Sequence, residues 1–274
     1  MTDHVISRNI SSAANRQSVK QCCARLYESD FAKLLLGDSF HPGGLKLTER
    51  LGIVLGLKAD TRVLDVASGR GNSAIFMAEH FGCEVLGLDY GGENVRQANE
   101  LAASRGLSAR VRFERADAES LPVGDATFDA VVCECAFCTF PDKTSAAKEF
   151  SRALRSEGQI GLSDLTRVPV LPKELNGLLA HIACIADAQP IDGYKSSLTG
   201  AGFDVTVVED HDDALHEMVQ QIRGNLLAAE IMVGLRKLDL PPEDLATAKQ
   251  MAKHALEAIQ RGQLGYALIC GLKP

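Results

Sequence analysis

Short apolar runs alternate with longer amphipathic ones between residues 63 and 165, and few folds accommodate that alternation. The apolar runs are VLDVA (63–67), EVLGLD (84–89), RVRFERAD (110–117), FDAVVCE (128–134) and QIGLSDL (159–165), each of strand length. Between them SAIFMAEHF (73–81), ENVRQANELAASRG (93–106) and KTSAAKEFSRALRSEG (143–158) carry helical spacing, the last two closed by glycine. Repetition of strand and helix predicts parallel strands joined by right-handed crossovers, and hence a doubly wound α/β sheet. In such a sheet ligands lie beyond the C-terminal ends of the strands.

Two later runs, DVTVVED (204–210) and GYALICG (265–271), extend the expected sheet to about seven strands. Residues 16–37 and 45–57 read as amphipathic helices on either side of the FHPGG turn at 40–44. Residues 192–203 read as a short helix with a glycine stop. A long helical stretch from about 214 to 261 is broken at Pro241-Pro242. A chain of 274 residues suits one elaborated domain. The expected layout is an N-terminal helical cap over 1–59, a Rossmann-like core over 60–167, and helical insertions with the closing strands of the same sheet over 168–274.

The first strand runs into a glycine turn, Asp65-Val-Ala67-Ser-Gly69-Arg-Gly71-Asn72. Gly69 and Gly71 let the backbone turn sharply and admit a ligand close to it. The spacing Gly69-x-Gly71-x-x-Ala74, with Asp89 twenty residues after Gly69, also fits a dinucleotide turn. Asp65 separates the two readings. A pyrophosphate gains from a helix N-terminus and loses beside a carboxylate. S-adenosylmethionine has no phosphate and carries a sulfonium and an ammonium, so an acid leading into the turn favours it.

Four segments, VLDVASGRGNSA, GLDYGGENV, ERADAESLPVGDATFDAVVCECAF and LRSEGQIGLSDL, resemble in order the motifs of class I S-adenosylmethionine-dependent methyltransferases across roughly 60–167. The resemblance implies that Asp65 and the backbone from Ala67 through Gly69 to Gly71 hold the methionine end. It implies that Asp89, with Tyr90 beside it, binds the ribose hydroxyls, and that Asp117 and the Ala118 backbone receive the adenine. Cys133, Glu134 and Cys135 then line the methionyl and acceptor side.

Strand four ends in Cys133-Glu134-Cys135-Ala136-Phe137-Cys138, three thiols near the expected mouth of the site. They serve either as small apolar packing residues or as soft ligands for a thiophilic acceptor such as trivalent arsenic. Together with Cys184 and the DGYKSSLTGAGF segment, the layout is similar to that of arsenite methyltransferases. It departs from them at Ser68, where that family commonly has cysteine. Cys135, Cys138 and Cys184 are thus candidate acceptor ligands. His41 is the candidate base if the acceptor is an oxygen or nitrogen nucleophile, with Glu134 and His181 as alternatives. A structural zinc site lacks a second C-x-x-C, so no metal is expected.

Lys plus Arg number 29 against 36 Asp plus Glu, a net charge of −7. That balance argues against nucleic acid or an anionic membrane as the main partner and leaves a small-molecule acceptor. Residues 1–15 lack the apolar core of a signal peptide, so a cytoplasmic setting with reduced thiols is expected. Two other classes share these features: a dinucleotide-dependent oxidoreductase, and a non-catalytic protein that senses S-adenosylmethionine or a metal. The discriminators are which cofactor stabilises the protein and whether S-adenosylhomocysteine forms.

Overall fold

The computed structural model describes residues 40–171, 187–235 and 241–274, with scattered positions in 17–37 (17, 20, 21, 24, 28, 35–37), 175, 185 and 237–238. The elements are α1 (Gly44–Val54), β1 (Arg62–Val66), α2 (Asn72–Phe81), β2 (Glu84–Asp89), α3 (Gly92–Ser104), β3 (Val111–Arg115), β4 (Phe128–Glu134), α4 (Lys143–Ala153), β5 (Leu154–Arg167), α5 (Ile191–Gly200), β6 (Asp204–Asp210), α6 (Asp212–Gly234), α7 (Pro242–Gln260) and β7 (Leu264–Leu272). The seven strands form one sheet in the order β3-β2-β1-β4-β5-β7-β6. The order turns back between β1 and β4, which places a ligand crevice beyond their C-terminal ends.

Strands β1 to β5 pair in parallel. β7 runs antiparallel to both β5 and β6, so the sheet is mixed where the alternation alone implies parallel strands throughout. The connection explains it: α6 and α7 lie between β6 and β7, pack on each other and return the chain beside β6 in the opposite direction.

Both faces of the central strands are covered, and Val63, Leu64, Val131, Val132, Ile160 and Leu162 are fully buried. Near-continuous apolar strands are the mark of a sheet buried on two sides. One helix end differs from the sequence reading. Helical spacing continues to Gly158, yet α4 stops at Ala153. Leu154 is fully buried and pairs with Phe128, and Glu157 donates from its backbone to the Lys273 carbonyl, so tertiary pairing overrides local spacing. The expected break at Pro241-Pro242 falls where α7 begins, with Pro242 as its first residue. Of the helix expected over 16–37, Gln17, Lys20, Gln21, Ala24, Leu35 and Leu36 are helical, and the remainder lies outside the described residues. No helix among the described residues is long and apolar enough to cross a membrane.

Candidate active site

The turn after β1 is held by its own geometry. Ala67, Gly69 and Gly71 all have positive φ, at 61°, 54° and 82°. The two glycines have separate jobs. A Cβ on Gly69 would meet nothing nearer than Phe40 Cδ2 at 3.8 Å, so this backbone lies open to the cavity. A Cβ on Gly71 would stand 2.4 Å from Phe113 Cζ and 2.9 Å from Ala98 Cβ, so Gly71 lets α2 seat against β3 and α3.

Asp89 ends β2 and ties that turn down. Its Oδ2 accepts from Gly69 N–H at 2.8 Å; its Oδ1 accepts from Gly91 N–H at 2.8 Å and Asn94 Nδ2 at 3.2 Å. Burial raises its pKa, opposed by these three donors. A carboxylate offers about four acceptor positions, which leaves capacity toward the cavity that Asp89 lines. Tyr90 follows, its hydroxyl accepting from Gln17 Nε2 at 3.0 Å and its ring under the Arg115 guanidinium.

Asp117 and Ala118 line the far end of the same cavity. Both carboxylate oxygens of Asp117 accept from Lys20 Nζ, at 2.9 and 2.8 Å, and Glu119 Oε2 accepts from the same ammonium at 2.6 Å. Burial works against the Lys20 charge, but the bonds to Asp117 and Glu119 outweigh it and raise the pKa. Sequence reasoning missed Lys20, since a single lysine in an amphipathic helix carries no spacing signal.

The end of the cavity formed by Asp65 and Glu134 is acidic and buried. Asp65 is 2% exposed and its Oδ2 has no hydrogen-bond partner among the described residues. Desolvation, then the charges of Glu134 and Asp89, push its pKa well above the ordinary carboxylate range. Glu134, at the end of β4, accepts from Thr48 Oγ1 at 3.1 Å and lies 3.6 Å from His41 Nε2. His41 Nδ1 is 3.2 Å from the Pro42 carbonyl, which can only accept, so Nδ1 carries the proton. Nε2 then accepts from Ser73 Oγ at 3.3 Å when the ring is neutral. Thr48 and Ser73 are further residues that sequence spacing does not mark, because hydroxyls on helices read as surface.

Among the described residues, the three thiols at 133–138 do not converge on the cavity. Glu134 and Cys135 line it, whereas Cys133 faces the core, as alternation along a strand requires, and is fully buried. Cys133, expected on the methionyl side, is thus not among the residues that line the cavity. Burial, then Asp164, Asp65 and Glu134, push its thiol pKa well up, so it stays protonated. Cys138 is fully buried, its N–H donating to Asp164 Oδ2 at 2.7 Å, and does not line the cavity. Cys135 has a positive φ of 52° and donates from its backbone to the Ser163 carbonyl. Cys184 and His181 lie outside the described residues.

S-adenosylmethionine fits this cavity. Asp65 and Glu134 would meet its cations, the open Gly69 backbone would admit its chain, and Asp89 and Asp117, at successive strand ends, would face its ribose and base. The fold and this cavity are those of an S-adenosylmethionine-dependent methyltransferase, with S-adenosylmethionine as cofactor. The chain belongs to the methyltransferase domain family, whose model matches residues 57–223.

Among its relatives is the 27-O-demethylrifamycin SV methyltransferase of Amycolatopsis mediterranei (strain S699), 30% identical over 234 residues, 84% of this chain and 83% of that one. Phosphoethanolamine N-methyltransferase 3 of Arabidopsis thaliana is 29% identical over 188 residues, 68% of this chain but only 38% of that longer protein. Similar solved structures include phosphoethanolamine N-methyltransferase 2 of Haemonchus contortus in complex with S-adenosyl-L-methionine, at TM-score 0.79 and 19% identity over 93% of this chain and 60% of that one. The [4+2]-cyclase SpnF follows at TM-score 0.76 and 22% identity, over 94% and 96%. At these identities the structures show the shared fold.

Proposed function

We propose that the chain methylates an oxygen, nitrogen or carbon nucleophile of a small organic acceptor. The observation that carries this reading is the buried network of His41, Ser73, Thr48 and Glu134 at the methionine end of the cavity. When bound, S-adenosylmethionine supplies an electrophilic methyl group. His41 Nε2 takes the proton an attacking hydroxyl or amine sheds, and Glu134 stabilises the resulting imidazolium. Lys20, Ala24, Phe40 and His41 line the cavity from the N-terminal side, in keeping with a cap over it.

The named substrates of the relatives, a rifamycin and phosphoethanolamine, are in keeping with an organic acceptor. A thiophilic acceptor such as arsenite has weaker support. Of the thiols at 133, 135 and 138, only Cys135 lines the cavity, and among the described residues no group of three or more His, Cys, Asp and Glu could hold a metal ion.

The test is S-adenosylhomocysteine release over a panel of phenols, alcohols and amines, with arsenite plus thiol in parallel. Turnover on an organic acceptor that falls about 10²–10⁴-fold in His41→Asn, the usual worth of a general base, supports the reading. Turnover on arsenite alone, lost in Cys135→Ser, would replace it. Donor binding with no S-adenosylhomocysteine formed on any acceptor would favour a non-catalytic role.

A further inference from the structure

Three carboxylates converge on the methionine end of the cavity, and they are not equally satisfied. Asp89 on β2 accepts three N–H groups, and Glu134 on β4 accepts the Thr48 hydroxyl. Asp65 on β1 lies between those strands, lines the cavity and is almost wholly buried, and its Oδ2 has no hydrogen-bond partner among the described residues. The groups facing it are Asp89 from β2, Glu134 and Cys133 from β4, and, behind Glu134, His41 from the turn before α1. None is a fixed cation. Of the basic side chains on the cavity wall, Lys20 is bound to Asp117 and Glu119, and Arg70 lies over the Phe40 ring, its Nε without a hydrogen-bond partner among the described residues.

An ionised carboxylate so placed, beside two other carboxylates and without a donor, is costly, and such a group holds a proton instead. We propose that Asp65 carries a proton in the ligand-free protein and releases it to solvent when the cationic methyl donor enters, so that donor binding is coupled to loss of one proton. The inference rests on the cavity being the S-adenosylmethionine site. Asp89 accepts three donors and Glu134 accepts the Thr48 hydroxyl, whereas Asp65 Oδ2 has none, which leaves Asp65 as the acid that changes state. Neutral Asp65 keeps the site stable before the donor arrives; ionised Asp65 then matches the donor's charge. Donor affinity therefore rises with pH until Asp65 is ionised in the ligand-free site as well.

Calorimetric titration of the protein with S-adenosylmethionine at pH about 6.5, where the donor's α-ammonium is already charged, measures this directly. Run in phosphate and in imidazole, buffers of different ionisation heat, it should report close to one proton released per donor bound. His41→Asn should keep that release, and Asp65→Asn should lose it. Because Asp65→Asn lacks the charge itself and binds weakly, wild-type protein supplies a second readout. Its difference infrared spectrum should lose a protonated-carboxyl band when donor is added. Identical heats in the two buffers, an unchanged infrared spectrum, or full release in Asp65→Asn overturns the proposal while leaving the methyltransferase assignment in place. Failure of wild type to bind S-adenosylmethionine at all overturns the assignment, and the proposal with it.

Discussion

Asp89 does two things at once, and its substitution should show both. Its carboxylate faces the cavity and also receives the N–H groups of Gly69 and Gly91. From sequence alone it reads as a ligand residue, so Asp89→Ala would weaken the donor and spare the fold. The structure adds a second cost, because the variant strands two backbone donors in the turn. Asp89→Ala should lower S-adenosylmethionine affinity by about 1.5–3 kcal/mol for the charge-assisted bonds lost, and lower stability by about 1–3 kcal/mol for the orphaned donors. Asp89→Asn, which keeps acceptor oxygen, should restore part of the stability. Calorimetry and urea unfolding separate the two effects, and an unchanged stability in Asp89→Ala would show that the turn does not depend on the carboxylate. The two turn glycines divide differently. Gly71→Ala drives a methyl group into Phe113 and Ala98 and should cost about 1–3 kcal/mol of stability from overpacking. Gly69→Val meets open cavity and should abolish donor binding in a protein that still folds. Val at the positive φ of Gly69 is strained as well, so the division is read from binding: normal donor affinity in Gly69→Val would contradict it.

At the scale of elements, α1 is positioned by a glycine in the strand beneath it. A Cβ on Gly161 of β5 would stand 2.5 Å from Leu51 Cδ1 and 2.9 Å from Leu55 Cδ1, so the missing side chain is the seat for that helix. Seating α1 there brings Thr48 against Glu134 and the preceding turn places His41 over Ser73. Leu51→Ala should cost about 2–5 kcal/mol by leaving a cavity, and Gly161→Ala should cost about 1–3 kcal/mol by clash. The double variant should lose less than the sum, because the new methyl group occupies the space that Leu51 vacates. A coupling of about 0.5–3 kcal/mol in a double-mutant cycle is the expected reading, and strict additivity would place α1 elsewhere. This contact is not legible in the sequence. Gly161 sits in an ordinary apolar run, and only the register of β5 between β4 and β7 turns it toward the helix.

Across the whole molecule, the legible part and the illegible part follow one physical line. Strands β1 to β5 announce themselves through local apolar runs, so the fold can be read from nearest-neighbour pattern, and the acids Asp65, Asp89 and Asp117, at or just past the strand ends, line one cavity. What cannot be read is whatever needs distant segments to meet: the antiparallel entry of β7, the early end of α4 and the hydroxyls of Thr48 and Ser73. Lys20 belongs to this second group, since it reaches Asp117 across 97 positions of chain. Its ammonium joins Lys20 of the N-terminal segment to the Asp117 end of the cavity, with side-chain exposures of 13% for Lys20 and Glu119 and 33% for Asp117. Bonds to charged groups are worth about 1.5–3 kcal/mol, and partial exposure with solvent screening reduces that to about 1 kcal/mol. If the pair is a latch over the bound donor, Lys20→Met should speed S-adenosylhomocysteine dissociation roughly fivefold with little change in association, and raised salt should mimic part of the effect in wild type. If Lys20 instead competes with the adenine for Asp117, the same variant should bind the nucleoside more tightly. Stopped-flow displacement of S-adenosylhomocysteine distinguishes the two by sign: faster release identifies a latch, and slower release shows that the N-terminal segment must give up Asp117 before the donor is fully held.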